Sequence, residues 1–236
     1  MALPQTPAPA RRSRLLLGAA VLAALLALAA VVVFLMQPDT AGPTATPPIW
    51  TTSSPPAPAA TVIPTSAPSG ITWSLVGQTA VPASATDGPA KVTGCKATGY
   101  AHTPIGALVA AVQISTRSGF YAGRSCWEPA ITAQFVASAD RDTLLGLLKQ
   151  ADVQGQPGAA PGELSQVAAF RYTSYTSDTA VIGLIRRTPQ GSFAQTILTL
   201  TWIGDDWKLV APAGGQWPAG TTSLSSLTGA TAWGAA

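Results

Sequence analysis

Imidazole is the one side chain whose unperturbed pKa lies in the neutral range, and this chain of 236 residues holds a single histidine, His102. It stands two residues after Tyr100 and directly before Thr103-Pro104, where it could face a cavity mouth beside Tyr100 or a carboxylate. General acid–base work needs a substrate proton within hydrogen-bond reach as well as a matched pKa. A solvated or hydrogen-bonded histidine in the turn before a helix fits the same sequence. No second histidine exists to complete a metal site. Cys95 and Cys126, with 30 residues between them, fit no zinc spacing. Ser125-Cys126 lacks the Gly-x-Ser-x-Gly elbow of an exposed nucleophile, and no glycine loop suits a phosphate. Glu128, Asp140 and Asp142 fall near expected helix starts, where the helix dipole favours carboxylates without any catalytic role. These residue types predict a non-catalytic protein with no metal and no cofactor.

The elements that would position them follow from periodicity. Ile71 to Gln78 predicts an extended segment and Pro82 to Gly94 a loop. Thr103 can cap a helix, Pro104 suits its first position, and Ile105, Leu108, Val109 and Val112 share one face. Glu128-Pro129 predicts the start of a second helix running through Ile131 and Phe135, and Ser138 to Gln150 a third. After the Gly/Pro loop from Gln154 to Gly162 the period changes to two. Phe170 and Tyr172, then Val181 to Ile185, then Leu198, Leu200 and Trp202, then Trp207 to Val210 read as four antiparallel strands separated by turn residues. Helices first and strands afterwards predict an α+β domain over residues 71–236, helices on one face of a curved antiparallel sheet. The tail from Pro212 is expected to be a loop or short helix docking through Trp217 and Trp233, and Trp202 and Trp207 to be buried.

The N-terminal third sets topology. Leu15 to Met36 is apolar and uncharged, and Arg11, Arg12 and Arg14 precede it. Its 22 residues span about 33 Å as a helix, enough for a hydrocarbon core of roughly 30 Å. A cleaved secretory signal is the alternative, but its apolar region would be only about 7–15 residues long. An uncleaved anchor at 15–36 places a cytoplasmic arm at 1–14 and everything after Met36 outside. Residues 37–70 contain nine prolines, seven threonines and four serines, the composition of a disordered, polyproline-biased linker. Outside the cytoplasm two cysteines predict a disulfide between Cys95 and Cys126, the alternative being two buried thiols. The net charge is +3 overall, yet residues 71–236 hold ten Lys plus Arg against nine Asp plus Glu, or +1. With no basic stripe, direct nucleic-acid binding is not expected.

The closing stretch TLTWIGDDWKLV, Thr199 to Val210, resembles the last hairpin of nuclear-transport-factor-2-like domains, a cone-shaped fold that ketosteroid isomerases share. The block TDGPAKVTGCKATGYAHTPIGALVAAV, Thr86 to Val112, resembles actinobacterial membrane-anchored proteins of unassigned function, some associated with conjugative elements. One anchor followed by one such domain is similar in outline to the scaffold subunits of type IV secretion and conjugation machines. That resemblance implies architecture only and carries over no site residue.

The expected function is a non-catalytic, single-pass scaffold of a cell-envelope assembly, a conjugation apparatus being the concrete version, working through protein partners or as a homo-oligomer. The alternative is a module on the same fold that binds, or converts, a small hydrophobic ligand. A deep apolar cone with two or more convergent polar groups would mark the second, a cone plugged by Phe and Trp the first. A cell-wall-binding role is a third class. Trp50, in the linker, is the tryptophan expected to be exposed, and one ring makes no sugar platform.

Overall fold

A computed structural model describes residues 62–217 and 221–235. The expected cytoplasmic arm at 1–14, the expected anchor at 15–36, Trp50 and the expected linker up to residue 61 lie outside the described residues. Residues 62–70 form neither helix nor strand. Among the described residues no helix is long and apolar enough to cross a membrane.

Strands β1 (Ile71–Val76) and β2 (Thr79–Ser84) form an antiparallel hairpin. A smaller one joins β3 (Lys91–Thr93) and β4 (Lys96–Thr98). The expected loop at 82–94 is therefore corrected, since its ends are strand. Pro82 is tolerated because β2 pairs on one side only. Between β3 and β4, Gly94 turns at φ +59°, a conformation that favours glycine.

Helix α1 (Pro104–Arg117) begins as its sequence predicts. The Thr103 hydroxyl accepts from the Gly106 amide at 2.9 Å, satisfying one of the orphan donors of the first turn. Gly106 is needed there, since a Cβ would run into the carbonyl of Ala101. Leu108, Val109, Ala110, Ala111 and Val112 are wholly buried, so the helix is covered nearly all round rather than along one stripe. Its alanines let neighbours approach on every side. A 3₁₀ turn at Phe120–Ala122 leads into α2 (Arg124–Gln134). This helix starts before Glu128, so Pro129 lies inside it. The proline's missing N–H leaves just one backbone bond unmade there, and the Arg124–Glu128 ion pair at 2.9 Å spans that stretch. Helix α3 (Ala139–Val153) is capped by Ser138, whose hydroxyl accepts from the Arg141 amide at 3.1 Å.

The expected meander is present. Strands β5 (Gln166–Tyr175), β6 (Thr179–Arg187), β7 (Phe193–Trp202) and β8 (Trp207–Leu209) pair antiparallel in sequence order. Register shifts in β5 after Val167 and after Tyr172 bend the sheet, as bulges do. The tail from Pro212 has the expected loop and a short 3₁₀ helix at Ala213–Gly215, and it adds two short strands that were not expected. β9 (Thr221–Leu224) pairs with the start of β7, and β10 (Thr231–Ala232) pairs with β5. Trp233 docks as expected, buried between Trp73 and Phe170 with centroids at 5.0 and 5.7 Å. The described residues thus form an α+β fold of three helices and a curved antiparallel sheet. Phe170, Ile182, Leu184, Leu198 and Leu200 line its inner face and are buried in one core with α1.

Cys95, in the β3–β4 turn, and Cys126, in the first turn of α2, form a disulfide with Cα atoms 4.7 Å apart.

Candidate functional site

The turn before α1 brings His102 against Trp202 and Trp207. Its ring stacks on Trp202 at 4.0 Å and meets Trp207 edge-on at 5.8 Å. Nε2 donates to the backbone carbonyl of Ser177, and no hydrogen bond joins the ring to Tyr100 or to a carboxylate among the described residues. His102 is therefore the hydrogen-bonded residue of a helix-leading turn. Trp207 is buried, as expected, whereas Trp202 is half-buried beneath the imidazole.

Asp206 fastens this turn to the sheet. Its Oδ1 accepts from the amides of Tyr100 and Trp207 and its Oδ2 from that of Gly99, each at 3.0 Å. The Trp207 indole in turn donates to Ala101 at 3.0 Å. Tyr100 is buried, and its hydroxyl lacks a hydrogen-bond partner among the described residues. Burial first, and the Asp206 carboxylate second, push its pKa upward, so the phenol stays neutral. Asp206→Asn should destabilise the fold by about 1 kcal/mol, because an amide group would face donors where an oxygen now accepts; chemical denaturation measures it.

The other acidic residues singled out above have structural partners. Asp140 and Asp142 lie in the first turn of α3, as the dipole argument expects, and Asp140 also accepts from the Gly214 amide at 2.9 Å. Glu128 is a correction, being inside α2 rather than at its start. It pairs with Lys149 at 2.8 Å and Arg124 at 2.9 Å, whose hydrogen bonds lower its pKa. Among the described residues no group of three or more His, Cys, Asp or Glu could hold a metal ion.

What the sequence reading missed is a cavity of about 250 Å³ between the C-terminal half of α1, the β1–β2 turn and the inner face of β6 and β7. Val76, Leu164, Leu198 and Trp217 supply its apolar wall. Thr79, Ser115, Thr116, Ser165 and Thr196 are its Ser and Thr residues, and Arg186 is the one charged residue lining it. Arg186 continues the inward register of Ile182 and Leu184, two residues apart along β6, which carries its guanidinium under α1. There Nη2 donates to Ser115 Oγ at 2.9 Å. No carboxylate pairs with it among the described residues. Burial lowers its pKa to about 10, which still leaves it protonated at neutral pH. The Thr116 hydroxyl is also buried without a partner among the described residues. A signal existed in the sequence, namely Arg186 two residues beyond Leu184 on the core-facing alternation of its strand.

The chain belongs to the family described as a domain of unknown function, DUF8175, which it matches over residues 36–232, from the last residue of the apolar run to the end of β10. No curated protein and no solved structure matches it.

Proposed function

We propose that this chain is a single-pass membrane protein, its N-terminus cytoplasmic, holding outside the membrane a non-catalytic domain of nuclear-transport-factor-2-like form that binds a small, largely apolar molecule. The anchor rests on the apolar run and its preceding arginines. Support for the form of the domain comes from helices leading into a bulged antiparallel meander, with a cavity between α1 and the sheet. The observation that carries the binding reading is the cavity itself, apolar in most of its wall yet lined by Arg186 and by five Ser and Thr residues. Ligand sites combine an apolar lining with a few convergent polar groups in this way. The test is calorimetric titration of the full chain in lipid nanodiscs, referenced to empty nanodiscs. Benzyl alcohol or benzoate is expected to bind saturably to the unaltered chain and not to Thr116→Phe, which fills the space. A folded chain that binds neither probe sinks the reading.

The second reading, a scaffold in an envelope assembly such as a conjugation or type IV secretion apparatus, is favoured by Leu75 and Val92. These are 70% and 53% exposed, on two hairpins that stand outside the main sheet. Crosslinking in native membranes through a photoreactive residue at position 75 should then capture a protein neighbour or a second copy, and capture of nothing removes this reading. In either case a protease added to wall-stripped cells should digest the domain; protection until lysis would invert the topology.

A further inference from the structure

We infer that the cavity takes a small monocarboxylic acid, its carboxylate held by the Arg186 guanidinium with the Ser115 hydroxyl, its apolar body against Leu198 and Trp217. This rests on reading the domain as a ligand-binding module. Arg186 is half-buried in the cavity wall, and a guanidinium partly withdrawn from water is normally paired, because an uncompensated charge is expensive to desolvate. Arg186 has one neutral partner, Ser115, and a fork of five donors suited to a planar carboxylate. Thr116 lines the same space through its other atoms, for its hydroxyl oxygen is buried away from it without a partner among the described residues. A guanidinium without a carboxylate partner among the described residues, and the single charged group of a mostly apolar lining, points to an acceptor that arrives from outside the chain.

Charge and size narrow the class. Arg186 is the single charged group in the lining, so one negative charge balances it. A cation would be repelled. A dianion such as phosphate would leave a buried negative charge uncompensated. A neutral alcohol would meet only part of the guanidinium's donor capacity. The volume of about 250 Å³ falls just below the range of about 300–1,000 Å³ typical for drug-sized ligands. The acid is therefore small, or leaves part of its body at the mouth, where Tyr121 lines the wall and is 54% exposed.

Benzoate, benzyl alcohol and benzylamine share a ring and differ in the charge of the head. Titrated at pH 7 into the full chain in nanodiscs, benzoate is expected to bind at least about tenfold more tightly than the alcohol, as hydrogen bonds to a charged group require. Benzylamine should show no saturable binding. Arg186→Met should abolish the preference for benzoate while the alcohol still binds. The comparison of probes on the unaltered chain decides the matter even if that variant fails to fold. Ser115→Ala serves as a milder second variant and should weaken benzoate more than the alcohol; equal weakening of both counts against the clamp. Benzyl alcohol binding as tightly as benzoate overturns the carboxylate assignment and leaves the ligand-binding reading standing. No saturable binding of any probe removes both.

Discussion

Replacing Cys95 and Cys126 together by Ser is expected to lower the unfolding free energy by about 3–4 kcal/mol in the chain-entropy description of a crosslink. The two positions are 31 apart in sequence, and the loop they close contains the whole of α1. Local structure adds to the argument. All three residues of β3 are exposed, and β4 buries only Ala97, so this hairpin has little core of its own. The bridge holds it to α2, and α2 packs on α1. Loss of the bridge should therefore open the β3–β4 hairpin first, seen as faster amide exchange there, and then lower the denaturant midpoint of the domain. Thiol labelling of the unfolded, unreduced chain should find no free cysteine, and two reactive thiols would end the argument. A midpoint unchanged in the double variant would show that α1 and α2 hold the hairpin without covalent help.

How much of the fold could be read beforehand follows from what each element buries. Helix α1 is marked by its cap, its first-position proline and its apolar run, and strands β5 to β8 by apolar stretches between turn residues. The start of α2 was misplaced because Glu128-Pro129 imitates a first-turn proline, whereas the helix actually begins at Arg124. Nothing local distinguishes a proline in the first turn from one in the second. The tail strands escaped for the opposite reason. Thr221–Leu224 has no buried residue, and it is a strand because the start of β7 offers it an edge; pairing partners are a tertiary fact. Thr231–Ala232 is only two residues long and is held beside β5 by the docking of Trp233 and by Arg171, which donates to the carbonyls of Thr228 and Gly229 at 2.9 and 3.0 Å. His102 drew attention by its chemistry, yet its ring is occupied by Ser177 and Trp202. Arg186 drew none, because a strand-end arginine is ordinarily solvated. Its significance depends on which face of β6 it occupies, and only the register with β7 sets that.

The same residue gives the second large effect, in the direction opposite to most core substitutions. Arg186→Met is expected to raise the stability of the ligand-free chain by about 1 kcal/mol, the low end of the scale for a polar group short of partners, since Arg186 is half-buried. Methionine replaces the aliphatic stem closely in volume and removes the charge. For a domain of this size that corresponds to a rise of about 2–4 °C in the thermal midpoint. The Ser115 hydroxyl loses a donor but remains half-buried beside the cavity, so its own loss is small. Benzoate should then raise the midpoint of the unaltered chain, by mass action on the folded state, and leave that of the variant unmoved. A site kept for binding at the expense of stability shows this crossed pattern. If Arg186→Met instead destabilises the ligand-free chain, the guanidinium has a structural partner that offsets its burial, and the case for an external acceptor fails with it.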